Sequence, residues 1–169
     1  MVEYFDVLTS DRKPTGRKLL RGTPLGENDY RNCAEIWVFA PDGRLMVTRR
    51  HQDKSDYPLY WECTAGLVRA GETTLQAILR EASEEIGVKF RESDIKLLLT
   101  KLTHRNFVDI YTAVTDQKEF ILQPDEVIDY RFVTKDELIK MNEDGIFVPF
   151  IYDRVIAEFE AAQRLNGLI

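Results

Sequence analysis

The sequence predicts an α/β protein, a mixed β-sheet with helices on both faces, forming one domain over residues 1–169. Three observations predict it. Short strand-like runs recur along the chain, several are joined by hairpin turns, and helical stretches interrupt them irregularly. A doubly wound parallel sheet would need a more regular strand–helix alternation. With 169 residues, 44% of them hydrophobic, the chain is long enough to bury a real core.

The elements follow in order. EYFDVL (residues 3–8) and the segment around Lys18 to Leu20 read as short strands flanking the turn-rich SDRKPTG. AEIWVF (34–39) and RLMVT (44–48) flank PDG, a hairpin signal. RRHQDKSDYPLYW is polar and then aromatic, which predicts a surface loop. Residues 95–102 and 108–114 read as two more strands with THRNF as their turn, and residues 127–133 as another. Thr134 opens a helix, with Glu137 at capping-box spacing. In residues 150–165, Ile151, Val155, Ile156 and Phe159 recur at helical spacing, so a C-terminal helix closes the domain.

Composition excludes several classes. No apolar run approaches the roughly 20 residues of a membrane span. The N-terminus, MVEYFDVLTSDRK, is acidic where a signal peptide is basic, and no apolar h-region follows, so a cytoplasmic location is expected. Cys33 and Cys63, with no CxxC, indicate neither a disulfide framework nor a zinc site. A net charge of −6 argues against general affinity for nucleic acid or anionic membrane. An acidic protein that handles phosphates needs a metal or clustered Arg to do so.

The stretch from Gly66 to Val88, GLVRAGETTLQAILREASEEIGV, carries the chemistry. Thr73 and Gln76 stand at capping-box spacing, and Gly87 stands where a helix C-cap would. Leu75, Ile78, Leu79, Ala82 and Ile86 recur at helical spacing, which predicts the buried face, with Glu81 and Glu85 stacked opposite and Glu84 beside them. Like charges at i,i+4 cost about 0.2–0.5 kcal/mol. Carboxylates in a last turn cost about 0.3–1 kcal/mol more against the helix dipole. A solvated face chosen for stability would carry Lys or Arg there. A divalent cation between the carboxylates reverses both signs, and Mg²⁺ favours carboxylate oxygens, water and substrate phosphates. Arg80, four residues before Glu84, is placed to hold that side chain.

This stretch resembles the box of the Nudix family. Gly66, Glu72, Arg80, Glu81, Glu84, Glu85 and Gly87 occupy its seven fixed places, and Val88 supplies its final apolar position; Ala82 is smaller than the usual Leu or Ile. The resemblance implies an α/β/α sandwich with a mixed sheet. It implies hydrolysis of a nucleoside diphosphate linked to another group, with Mg²⁺ or Mn²⁺. By the same resemblance Glu81, Glu84 and Glu85 are metal ligands with the carbonyl of Gly66. Arg80 orients a carboxylate and Glu72 supports the loop. The general base is Glu81 or Glu126 of QPDEVIDYRF, where Glu126 is equally well read as a plain turn carboxylate. Arg49 and Arg50 either grip a phosphate or end a strand in solvent. The partner implied is a small-molecule diphosphate, and a homodimer is left open.

The opening DVLTSDRKPTGRKLLRG resembles the branch similar to isopentenyl-diphosphate isomerase. That enzyme carries metal-binding histidines before its first core strand and a Cys-x-His element ahead of the box region. PLGENDYRNCAEIW contains no His, and none follows Cys63 in WECTAG, so hydrolysis is expected over isomerisation. A sensor domain that binds a nucleotide or metabolite without turnover is the third reading, and the intact carboxylates speak against it.

Overall fold

The computed structural model describes residues 2–169; residue 1, the first of the expected domain, lies outside them. Strand β3 (Arg31–Phe39) is the spine of the main sheet. Its Ala34, Ile36 and Val38 join one core with Ala77, Ile78 and Ile86 of helix α1 (Thr74–Glu85) or its C-cap. Its Trp37 and Phe39 join a second core with Leu138 of α2 (Lys135–Glu143) and Val155 and Phe159 of α3 (Pro149–Leu165). The sheet is therefore covered on both faces, which makes an α/β/α sandwich. Burial on both faces also explains why AEIWVF reads as a continuous apolar run and not as an alternation.

Two short strands frame a hairpin ahead of this sandwich, β1 (Tyr4–Leu8) and β2 (Pro14–Leu20), which form their own antiparallel sheet. The main sheet adds β4 (Leu45–Arg50), β5 (Trp61–Glu62), β6 (Ala65–Leu67), β7 (Lys96–Thr103), β8 (Asn106–Val114) and β9 (Val127–Val133). β8 runs parallel to β3 from Arg31↔Asn106 to Phe39↔Val114, and every other pairing in the sheet is antiparallel. A mixed sheet results.

One feature of the topology makes the cleft. β3 keeps β4 only at Phe39↔Leu45 and gives its other half to β6, through Cys33↔Leu67, Ala34↔Gly66 and Glu35↔Ala65. β4 diverges to pair with β5 and β9. The sheet splits between β6 and β5, and α1 lies across the β3–β6 side of the split.

Most expected elements are present within a few residues. β2 is longer than the segment around Lys18, because its first residues pair back to Leu8. β5 and β6 were not expected: at two and three residues they are too short to carry a period, and only their partners make them strands.

The expected face of α1 needs correction. Its buried residues are Thr74, Ala77, Ile78 and Ala82, with Ile86 at the C-cap. At 3.6 residues per turn, Glu85 lies about 20° and Glu81 about 60° from Ile78 around the axis. The two glutamates flank the buried face and do not stand opposite it. Of the three glutamates only Glu84 is exposed.

Candidate active site

Helix α1 starts as the sequence dictates. The Thr73 hydroxyl accepts from the Gln76 N–H at 3.1 Å, and the Gln76 side chain accepts from the Thr73 N–H at 2.9 Å. Thr74, the first helical residue, donates to Asp109 on β8 at 2.6 Å and pins this end to the sheet. The helix stops at Gly87, whose φ of 68° takes the left-handed turn and sends the Val88 N–H back to the Ala82 carbonyl. These two anchors present the last turn of α1 to the split in the sheet.

Glu81, Glu84 and Glu85 occupy that turn and line a cleft of about 180 Å³ with Gly66, Glu62 and Glu126. Gly66 is required by space: a Cβ there would overlap the carboxylate of Glu81. Burial, followed by the charges of Glu81 and Glu62, holds the Glu85 carboxyl well above the ordinary carboxylate range. Glu85 has no hydrogen bond or ion pair to its side chain among the described residues, and only the more distant Lys54 and Arg50 favour its charge. Burial also raises Glu81 and Glu62, although each has an arginine partner.

Arg80 organises the turn. Its Nε and Nη2 grip both oxygens of Glu72 at 2.9 and 3.0 Å, and its Nη1 reaches Glu81 at 2.7 Å and Glu84 at 3.2 Å. Burial opposes the charge of Arg80, and the Glu72 and Glu81 carboxylates outweigh it, so the guanidinium stays protonated. Glu72 also accepts the Arg69 N–H at 3.0 Å, which fastens the loop between β6 and α1.

Four cations face this floor from other elements. The N-terminal hairpin brings Arg21 and Glu3, paired at 2.7 Å, and Glu3 pairs in turn with Arg69 at 2.5 Å. Arg50 holds Glu62 at 2.6 Å, and Lys54 forms an ion pair with Glu126. The structure thus brings together Gly66, Glu81, Glu84, Glu85, Arg50 and Glu126, with Arg80 and Glu72 behind them. Arg49 is not among them: successive residues of β4 face opposite ways, and its Nε donates to the Leu59 carbonyl at 3.0 Å with the guanidinium 6.0 Å from the Trp61 ring. Glu62, Lys54, Arg69, Arg21 and Glu3 were not legible as site residues. The elements of Glu62, Lys54, Arg21 and Glu3 meet α1 only in the tertiary fold, although Glu62 lies four residues before the box; Arg69 lies within the box at none of its fixed places.

Among the described residues no three carboxylate, His or Cys side chains converge closely enough to hold an ion as they stand. The reason is visible: Arg80 draws Glu81 and Glu84 toward itself, and Lys54 draws Glu126. The donor chemistry nonetheless suits a hard divalent cation, because Glu85 faces the carboxylates of Glu81 and Glu62 and has no cation paired directly with its own.

A mixed-sheet α/β/α sandwich with an acidic helix end beside a split lined by Gly66 defines the class of fold. Comparison with known proteins gives the family. Residues 29–150 match the model of the NUDIX domain, and the chain belongs to the Nudix hydrolase family. An uncharacterized Nudix hydrolase of Listeria monocytogenes is 32% identical over 154 residues, which cover 89% of this chain and 91% of that protein. An isopentenyl-diphosphate Delta-isomerase of Kocuria rhizophila is 27% identical over 162 residues, 88% of each chain. A solved Deinococcus radiodurans structure shares the fold with a TM-score of 0.75 at 23% identity, covering 86% of this chain and 92% of that one. So does a Francisella tularensis bifunctional NMN adenylyltransferase/ADP ribose pyrophosphatase complexed with AMP and a manganese ion. Its TM-score is 0.65 at 16% identity, over 83% of this chain and 44% of that one.

Proposed function

We propose that the protein hydrolyses a diphosphate linkage in a nucleoside diphosphate joined to another group, with Mg²⁺ or Mn²⁺ as cofactor. The observation that supports this reading best is the half-buried, unpaired carboxylate of Glu85 at the cleft floor, facing two more carboxylates beneath a rim of cations. A helix end so arranged is costly without a counter-charge. Glu81, Glu84 and Glu85, with the carbonyl of Gly66, would hold the ion. When bound, such an ion neutralises charge on bridging phosphate oxygens and lowers the pKa of its water.

The residues of this chain divide the remaining work. Arg80, braced by Glu72, positions Glu81 and Glu84. Arg50, Arg21 and Lys54 offer donors to the diphosphate from the opposite wall, where charge-assisted hydrogen bonds to phosphate oxygens are strong. Glu126 is the carboxylate on the loop before β9 that can accept a proton from an attacking water, and Lys54 holds it at the cleft. Glu81 is the other base within the cleft.

Isomerisation is the second reading, motivated by the isomerase relative. The acidic cleft has no cysteine or histidine in its lining, and Cys63 is fully buried, so burial raises its thiol well above the ordinary range. A turnover panel with Mg²⁺, its products resolved by chromatography, separates the readings. Nucleotide sugars, ADP-ribose, dinucleotides, nucleoside triphosphates and prenyl diphosphates are the substrates, and Glu85→Gln is the blank. Turnover of a nucleotide class, absent in the blank, is expected; double-bond migration in a prenyl diphosphate without phosphate release would overturn the proposal.

A further inference from the structure

The chamber behind the acidic cleft ends in charge of the opposite sign. Past Gly66, Glu62 and Arg50 the cleft opens into a space of about 620 Å³, which continues past Gly22, Arg31 and Asn106 into a depression of about 350 Å³. Thr23, Arg31, His104, Arg105 and Asn106 line this depression, and no carboxylate does. Arg31 Nε donates to the Asn106 amide oxygen at 2.7 Å. Arg105 Nη1 donates to the Leu25 carbonyl at 3.0 Å and to that of Gly26. Among the described residues neither guanidinium has an ion pair, so each is oriented through one nitrogen and its other nitrogens have no protein acceptor.

This arrangement is costly as it stands. Arg31 pairs with Asn106 across β3 and β8, and its N–H donates to the Arg105 carbonyl at 3.0 Å, so the two arginines are neighbours. Like charges on neighbouring strands repel. Carboxylates are plentiful in a chain of net charge −6. Asp29, near enough to sense Arg105, is nevertheless bound to Arg17 and the Gly26 N–H and does not line the depression. His104 adds strain. It is the first residue of the two-residue loop between Thr103 and Asn106, and its φ of 55° lies where Gly, Asn or Asp is favoured. Two guanidinium forks, an imidazole and the Asn106 amide, whose oxygen Arg31 has already taken, make a donor-rich set that suits the acceptor oxygens of a phosphate. The depression is also close to the cleft: Arg21 lines the cleft, and Gly22, the next residue, lines the depression, one Cα step of ~3.8 Å away along the chain.

We propose that this depression is a second anion subsite, which receives a phosphomonoester borne by the group joined to the diphosphate, with Arg31 and Arg105 as the specificity-determining residues. The proposal rests on the reading of the acidic cleft as the diphosphate site. It narrows the substrate to a diphosphate whose linked group carries a further phosphate, apart from the diphosphate itself.

The test is calorimetric binding, in Mg²⁺, to the full-length Glu85→Gln protein and to the wild type where the probe is not consumed. Two pairs of probes differ by one phosphomonoester: NADP⁺ against NAD⁺, and coenzyme A against dephospho-coenzyme A. In at least one pair the phosphorylated member is expected to bind about tenfold more tightly or better. Arg31→Gln and Arg105→Gln should each cut that preference to below about threefold. Arg31→Lys, which keeps the charge and removes the fork, reads the same loss if Arg31→Gln does not fold. Arg164→Gln, at an exposed position outside the depression, controls for net charge and should leave the preference as it was. No preference in either pair, or a preference that survives substitution of both Arg31 and Arg105, overturns the proposal. Turnover that survives Glu85→Gln overturns the hydrolase reading instead, so the two failures are distinguishable.

Discussion

The two ends of helix α1 hold acidic groups of opposite character. At the N-terminal end, Asp109 is buried and fully served: Arg12 grips it at 3.0 and 2.7 Å, and the hydroxyls of Thr100 and Thr74 donate at 2.6 Å each. Burial would raise its pKa, yet those hydrogen bonds outweigh burial and hold the carboxyl below its usual value. At the C-terminal end, Glu85 is half-buried, its side chain has no hydrogen bond or ion pair, and its carboxyl is held well above the usual value. A β8 carboxylate packed against one end of α1 is a clasp, and a carboxylate carried by the other end of the helix is a cost. The difference teaches which end serves stability and which serves binding: a fold selected for stability alone would have paired both.

The largest effect should come from breaking the unpaired end. Glu85→Gln is expected to lower metal-dependent turnover by at least about a hundredfold, equivalent to ~2.7 kcal/mol of transition-state stabilisation, while the metal-free melting temperature holds or rises. Product chromatography and a thermal melt on the same preparation check both halves. A drop in metal-free stability would mean that Glu85 has a packing role.

Breaking the paired end should do the reverse. Asp109→Asn removes one charge from a part-buried pair and is expected to cost about 2–3 kcal/mol, or roughly 4–12 °C in melting temperature. Activity per folded molecule, measured well below the melt, should stay within a few-fold. If turnover falls as far as in Glu85→Gln, the two ends are not separable.

The pH dependence of metal-free stability sharpens the contrast. Glu85 titrates above its reference of 4.5 in the folded chain, so between that pH and its folded pKa the native state holds a proton the unfolded state has lost. Stability attributable to Glu85 falls as pH rises through that window. Asp109 titrates below its reference of 3.8, so its contribution is complete above that pH and is lost as pH falls through the folded value. Melting temperature against pH should therefore decline less steeply on the neutral side in Glu85→Gln, where Glu81 and Glu62 still contribute, and less steeply on the acid side in Asp109→Asn, where Glu3 and Glu72 still contribute. Added Mg²⁺ should raise the melt of the wild type near neutral pH and leave Glu85→Gln nearly unmoved.

The smallest effects concern neighbouring arginines on β4. Arg50→Ala leaves Glu62 unpaired in the cleft and should reduce kcat/KM about tenfold; Arg49→Ala, which faces the other way, should change it by less than about twofold. Equal losses would show that Arg49 reaches the substrate after all.

How much of this was legible follows from where each signal resides. The capping box of α1, the hairpin between β7 and β8 and the amphipathic face of α3 are local patterns, because a period or a cap is complete within one segment. The box residues were legible for the same reason, their spacing being the spacing of one loop and one helix. Glu62, Lys54 and Arg21 were not, since each belongs to a different segment and carries no mark of the cleft it enters; Arg69 lies within the box but at none of its fixed places. The face of α1 was misjudged where the apolar stripe and the acidic pair are neighbours around the axis, and what covers a flank depends on the sheet beneath it.

The linear order of residues determined that this chain would make a mixed sandwich and would carry carboxylates at a helix end, because period, cap and motif spacing are properties of contiguous residues. The tertiary structure alone decided that those carboxylates are half-enclosed, that Glu85 is left unpaired, and that Arg50 but not Arg49 faces it. Burial and pairing depend on which segments the sheet brings together when it parts between β5 and β6.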